Sequence, residues 1–140
     1  MMGEARRKLM DASKIVKVDL GAPDYLIGPI DREQLSKGPE GMVDESRIVQ
    51  NATKLIIWTV IQCAFPQGMD RKDGQVWAAW QDVLGENEPV LEMPRSQLDW
   101  LRKNIGDEDL KIPFAFAGWR EELAGYLDRL VNADPDEASI

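Results

Sequence analysis

Hydrophobic and polar positions follow two different periods along this chain, and each period predicts a different kind of element. Within residues 14–20, apolar and polar side chains alternate one by one from Val16 to Leu20, which is typical of a half-buried strand. The turn residues at 21–24 follow directly. Residues 25–27 are therefore predicted to form the return strand of an N-terminal β-hairpin, or else part of an extended arm.

The helical period begins with the longest predicted element, a helix over residues 44–66. Asp44 is its expected N-cap, and Pro66 closes it. The apolar stripe is formed by Ile48, Ala52, Leu55, Ile56, Thr59, Val60 and Cys63. Residues 55–65 are apolar nearly all round, which predicts burial on most sides. Their β-branched residues leave a strand as the alternative there, but a segment of this length without turn signals favours a helix.

Three further helices are predicted over 73–84, 94–105 and 113–131, with a short strand or extended connector at 89–92. Residues 73–84 bring Trp77 and Trp80 to the inner face of their helix. In the last helix, Gly118 and Gly125 lie seven residues apart and predict a groove for another helix of the same chain, because glycine inside a helix otherwise costs about 1 kcal/mol.

The predicted fold class is mainly α (α+β), a compact bundle of about four helices with an N-terminal β-hairpin or extended arm. The globular domain is expected to span 14–132, with a section of strand-like sequence at 14–30 and a helical body at 44–132. Residues 1–13 form a basic leader that is helical or loose, and 133–140 an acidic tail expected to be disordered.

Composition and charge narrow the function classes. Hydrophobic residues make up 44% of the 140 residues, enough for a sizeable core. The formal net charge is −8, but residues 1–17 hold five basic and two acidic side chains, so the rest of the chain carries −11. This balance disfavours direct binding to nucleic acid or to anionic membranes. With one cysteine and no signal-like or membrane-spanning run, the predicted location is the cytoplasm.

The residue types argue against most catalytic chemistry. The chain has no histidine, and its single cysteine, Cys63, lies in an apolar helix without a charged neighbour. A zinc ligand set and the nucleotide-phosphate motifs are missing from the sequence. We therefore predict no catalytic residues, no metal and no cofactor. The remaining candidates for metal chemistry are the acidic residues Asp107, Glu108 and Asp109, whose expected role is a solvated connector.

Five tryptophans are more than the core of such a domain needs, which makes some of them candidates for a protein interface. Trp100 lies partly off its helical stripe, and Trp119 stands beside Arg120. These three residues, together with Arg6, Arg7 and Lys8 of the leader, are the predicted partner-binding residues. The alternative for the tryptophans is a place at the core margin, where the indole N–H bonds an internal carbonyl. Likewise, the basic leader is either functional or simply a solvated terminal helix.

The stretch from Asn51 to Leu130 combines an apolar helix and a Trp-containing helix with PVLEM at 89–93, DWLRKNI at 99–105, and KIPF followed by GWREELAGYLDRL within 111–130. In this layout it resembles small accessory proteins of tailed phages and prophages. The resemblance implies a binding or assembly factor, located in a host cytoplasm or a virion, and provides no catalytic residues.

Three functions follow from these observations. The first is a non-catalytic factor that binds another protein, such as a phage assembly protein or an inhibitor of a host enzyme. The second is an acidic nucleic-acid mimic that blocks a DNA- or RNA-binding enzyme. The third is a carboxylate- or metal-dependent enzyme that uses the acids at 107–109. The sequence leaves homo-oligomerisation open.

Overall fold

The structure of the chain is a computed structural model, and it describes residues 15–23, 25 and 47–133. In chain order its elements are strand β1 (Ile15–Asp19), helix α1 (Ile48–Ala64), helix α2 (Arg71–Leu84), strand β2 (Val90–Pro94), helix α3 (Arg95–Ile105), a 3-10 turn (Phe114–Phe116) and helix α4 (Ala117–Ala133). The predicted mainly α fold class, with four helices among these residues, is confirmed. The basic leader, the acidic tail and most of 24–46 lie outside the described residues.

The two strands form an antiparallel sheet that links distant parts of the chain. Val16 pairs with Met93 and Val18 with Leu91, and all four side chains are buried. The other face, which carries Lys17 opposite Glu92, is exposed. The predicted strand at 14–20 is thus present, and among the described residues its partner is β2. Of the predicted return strand at 25–27, only Tyr25 is described, and it is in no strand. The pairing of β1 with β2 thus brings four apolar side chains, two from each strand, into the hydrophobic core.

Helix α1 settles the choice between helix and strand for its part of the chain. It runs from Ile48 to Ala64 without a break, so the strand alternative is wrong for the residues that it contains. Its N-cap is Arg47, and Asp44 lies outside the described residues. The buried face includes Ile57 and Ile61 as well as most of the predicted stripe, whereas the predicted members Leu55, Thr59 and Cys63 are only half-buried. The face is therefore rotated from the predicted one.

Helix α2 begins earlier than predicted because Asp70 caps it. The Asp70 carboxylate accepts a hydrogen bond from the backbone N–H of Asp73 at 2.8 Å, which satisfies a donor of the first turn. Trp80 is fully buried, as predicted, and its indole Nε1 donates to the backbone carbonyl of Gln97 at 3.1 Å. Trp77, by contrast, is only half-buried.

Helix α4 is preceded by a 3-10 turn where a single helix was predicted from residue 113. Leu123 and Leu127 of this helix are buried in the core. The predicted close packing of another helix at its two glycines is not seen in the described part of the chain: there a Cβ at Gly118 would meet nothing within 4 Å, and one at Gly125 would meet only the Arg129 side chain at 3.3 Å.

Helix α3 is the centre of the described structure. It packs against both strands and the three other helices, and it buries Leu98, Leu101 and Ile105 completely or nearly so. Helices α1 and α2 both pack on α3. Side chains of α1 and α2 line a gap between these two helices. Within the described ranges, none of the helices combines the length and the apolar character needed to cross a bilayer.

Candidate protein-binding cleft

The gap between α1 and α2 is an apolar cleft with a volume of about 270 Å³, which we call the Trp58 cleft. The chain turns from α1 into α2 at its end, where Gly68 adopts a positive φ of 96° that favours glycine. Its walls come from the second half of α1, this turn and α2. The lining residues are Trp58, Ile61, Gln62, Phe65, Gly68, Met69 and Trp77.

Two tryptophans form the mouth of the cleft. The rings of Trp58 on α1 and Trp77 on α2 meet with centroids 5.4 Å apart and planes inclined at 47°. Trp58 nevertheless remains 41% exposed, because it lies on the side of α1 that faces away from the core. A large aromatic side chain that contacts the protein on one face and water on the other is typical of a protein-binding surface.

The wall of the cleft is held in place by Trp100. Its ring stacks on Phe65 with centroids 5.9 Å apart and planes only 9° from parallel. Its indole Nε1 donates to the Asp73 carboxylate at 3.0 Å, which ties α3 to the first turn of α2. Trp100, predicted as a direct partner contact, is half-buried and supports the cleft from behind through Phe65.

Trp119 does not form part of an exposed surface. Only 3% of it is accessible, and its ring lies between Tyr25 at 5.3 Å and Phe116 at 5.6 Å. A side chain this deeply buried offers a partner almost no surface in the described fold. Its apolar bulk fills the core instead, beside the Tyr25 hydroxyl that hydrogen-bonds Thr53 at 3.2 Å.

Arg120 is also occupied within the chain. Its Nε donates to the carbonyl of Ile105 at 2.9 Å, and its two terminal nitrogens donate to the carbonyls of Leu110 and Asp107. It thereby satisfies acceptors at the end of α3 and in the following loop. Its predicted role at an interface is replaced by a structural one. The remaining predicted contacts, Arg6, Arg7 and Lys8, lie outside the described residues.

A second cleft, of about 500 Å³, is polar and is lined by Arg95, Asp99, Arg102, Lys103, Gly106 and Asp128. Arg102 forms ion pairs with Asp128 at 2.9 Å and with Asp99 at 3.1 Å. Burial by itself lowers the pKa of Arg102, but the hydrogen bonds to these two carboxylates outweigh burial and raise it. Most charges of this cleft are therefore matched within the chain.

The acidic candidates for metal chemistry are spread along an exposed loop. Asp107, Glu108 and Asp109 all face solvent, and the Asp107 carboxylate accepts the backbone N–H of Asp109 at 2.9 Å. Among the residues that the structure describes, no three acids or cysteines converge to hold a metal ion. Cys63 is half-buried.

Sequence reasoning missed Trp58, Phe65 and Met69 as surface residues. The segment from 55 to 65 is apolar nearly all round, so its pattern shows only weakly which side faces water. One signal was available: Trp58 is flanked one turn away by the polar residues Lys54 and Gln62, which lie on the same side of a helix.

No protein-family model, no curated protein and no solved structure matches this chain.

Proposed function

We propose that this chain is a non-catalytic factor that binds another protein, and that the Trp58 cleft receives an apolar side chain of that partner. The observation that carries the proposal is the 41% exposure of Trp58 at the mouth of an apolar cleft. A cavity of about 150 Å³ suffices for benzene, so the roughly 270 Å³ here has room for one aromatic or large aliphatic side chain.

The exposed part of Trp58 is large enough to matter for affinity. A tryptophan side chain buries up to about 250 Å², so 41% corresponds to about 100 Å². At roughly 25 cal/mol per Å², covering this area stabilises a complex by about 2.5 kcal/mol. That is the range of an interface hot spot, and its loss weakens binding by more than about 30-fold.

The cleft is also prepared for binding before a partner arrives. The Phe65–Trp100 stack and the Trp100–Asp73 hydrogen bond hold the wall, so little side-chain entropy is lost on association. The resemblance to phage accessory proteins agrees with a binding or assembly role.

Photo-crosslinking from the cleft tests the proposal. A photoreactive residue at position 58 should crosslink a defined protein in an extract of the source cell, and the same residue at position 90 should not. Val90 is the matched control because it is also apolar and exposed, at 48%, but lies on the sheet. The identified protein is then titrated calorimetrically against wild type, Trp58→Ala and Val90→Ala.

We expect Trp58→Ala to weaken binding by about 30-fold or more and Val90→Ala to leave it unchanged. Because Trp58 is partly exposed, the variant should keep the circular dichroism spectrum of the wild type. A partner that binds Trp58→Ala as tightly as wild type, or identical crosslinks from positions 58 and 90, would contradict the proposal.

A further inference from the structure

Strand β2 has one edge that pairs with β1 and another that faces away from it. The backbone N–H of Leu20 donates to the carbonyl of Pro89 at 2.7 Å, in line with the β1–β2 register. Along an antiparallel ladder, hydrogen-bonded pairs of residues alternate with pairs that are not bonded to each other. The N–H and C=O groups of Leu91 therefore point to β1, whereas those of Val90 and Glu92 point outward.

The same alternation shows which outer edge of the sheet is open. The outward N–H of Asp19 in β1 donates to the Tyr126 hydroxyl of α4 at 3.0 Å, so this helix covers the outer edge of β1 there. On β2, no described residue bonds the outward N–H and C=O groups of Val90 and Glu92. Both side chains are exposed, Val90 to 48%. Unpaired backbone groups along the edge of a sheet are a template for another strand.

We propose that this edge of β2 pairs with β2 of a second copy of the chain, antiparallel and around a two-fold axis at Leu91. In this arrangement Val90 lies opposite Glu92 of the second copy, and each outward N–H meets a C=O. The axis repeats the pair, so the contact contains about four backbone hydrogen bonds. The two sheets become one sheet with the strand order β1–β2–β2–β1.

Proline and like charges exclude the neighbouring registers. With the axis at Glu92, the two Glu92 carboxylates face each other, and Val90 lies opposite Pro94, which has no N–H to donate. With the axis at Val90, Glu92 lies opposite Glu88, which has the same charge. The carbonyl of Glu88 moreover already accepts the Gln50 amide at 3.2 Å. Only the first arrangement pairs every outward group without opposing like charges.

The symmetry of the contact limits the assembly to two copies. Both copies contribute the same patch, so the interface closes on itself. Tyr126 covers the outer edge of β1, so the four-stranded sheet offers no equivalent edge at its ends. Neither Val90 nor Glu92 lines the Trp58 cleft. The inference therefore goes beyond the proposed function, because it concerns a different surface and a different partner.

Proline substitutions on the two outer edges test this pairing. Glu92→Pro removes an N–H that bonds the second copy but none that bonds β1, and proline is tolerated where an edge N–H faces solvent. Lys17→Pro is the matched control, because the N–H of Lys17 also points outward, but from β1. Glu92→Gln keeps the N–H and removes only the charge. Both proline variants should keep the circular dichroism spectrum of the wild type.

Analytical ultracentrifugation measures the association of these chains. We expect the wild type to dimerise with a dissociation constant between about 10 µM and about 1 mM, which is typical of a small contact. Glu92→Pro should weaken dimerisation by about tenfold or more, because each dimer loses half of its backbone bonds between the copies. Lys17→Pro and Glu92→Gln should dimerise like the wild type.

Hydrogen exchange of single backbone amides, followed by NMR, needs no variant and decides the question even if Glu92→Pro fails to fold. The outward amides of Val90 and Glu92 are bonded only in the dimer, so their exchange should slow as the protein concentration rises. With nine-tenths of the chain paired, exchange should be about tenfold slower. The Lys17 amide, on the other outer edge, should exchange at the same rate at every concentration.

A wild-type chain that stays monomeric up to about 1 mM overturns this inference. So does a Glu92→Pro variant that dimerises like the wild type, a Lys17→Pro variant that is weakened equally, or exchange at Val90 and Glu92 that is independent of concentration. These results leave the proposed function untouched, because the crosslink from position 58 is to a different protein. A photoreactive residue at position 90 should crosslink a second copy of this chain, which its mass identifies.

Discussion

Replacing Gln97 by methionine should stabilise this protein. Gln97 lies in the first turn of α3 and is completely buried, yet neither its amide nitrogen Nε2 nor its amide oxygen Oε1 has a hydrogen-bond partner among the residues that the structure describes. Its backbone carbonyl, which accepts the Trp80 indole N–H, is unaffected by the substitution. Methionine has a similar length and no strongly polar atom, so it removes the unpaired amide and keeps most of the volume.

The magnitude follows from the cost of an unpaired amide. A buried polar group without a hydrogen bond costs about 1–3 kcal/mol in protein mutational data. Changing the shape of a core side chain at nearly constant volume costs less than about 1.5 kcal/mol. At the middle of both ranges, the expected net gain for Gln97→Met is about 1 kcal/mol. For a chain of this size that corresponds to a rise in Tm of roughly 2–5 °C.

Urea denaturation followed by tryptophan fluorescence, together with calorimetry, measures this gain. The matched control is Gln50→Met. Gln50 is also buried, but its Nε2 donates to the carbonyls of Asn87 at 3.0 Å and Glu88 at 3.2 Å. This control should lose about 1–3 kcal/mol, because two carbonyls lose their donor. If Gln97→Met is destabilised as much as Gln50→Met, the Gln97 amide has a polar partner and the reasoning is refuted.

Two further predictions concern structural side chains. Arg120→Ala should lower the free energy of unfolding, measured by urea denaturation, by about 2–3 kcal/mol. Arg120→Lys should restore only part of this loss, because an ammonium group cannot reach the three carbonyls that the guanidinium bonds. Arg129→Ala is the control: its side chain is 67% exposed, so its loss should change the free energy of unfolding by less than about 0.5 kcal/mol. Burial raises the pKa of the Tyr25 phenol, so the unfolded chain loses this proton first and stability should fall above about pH 10 by roughly 1.4 kcal/mol per pH unit. Tyr25→Phe should flatten that fall in urea titrations at alkaline pH, and an unchanged slope would exclude Tyr25 as its cause.

Periodicity in the sequence was sufficient to predict elements but not their partners. The alternation at 14–20 identified β1, and the apolar spacing identified the four helices within a few residues. The pairing of Val18 with Leu91 could not be read in the same way, because strand partners distant in sequence leave no local signal. Most of residues 25–27, the nearer candidates, lies outside the described residues.

The candidate site was harder to predict than the fold for a related reason. The partial exposure of Trp58 depends on which side of α1 packs against the core. A segment that is apolar on nearly every side does not reveal this. Arg120 was predicted as an interface residue because it follows Trp119 in the sequence. Its acceptors are backbone carbonyls at the end of α3 and in the following loop, and backbone atoms have no signature in a sequence. Gln97 is a polar residue at a buried position, which contradicts the rule that polar side chains face water.

The pairing of β1 with β2 also constrains when this chain can fold. A ribosome releases Ile15–Asp19 early, but the strand that completes the sheet, Val90–Pro94, emerges only after α1 and α2 have been made. Until then the strand that pairs with Val16 and Val18 in the described structure has not been made. Bringing β1 and β2 together closes a long loop and costs conformational entropy, which the packing of α3 directly after β2 helps to offset. Synthesis of residues 90–105 is therefore the step at which the nascent chain gains both its sheet and its central helix.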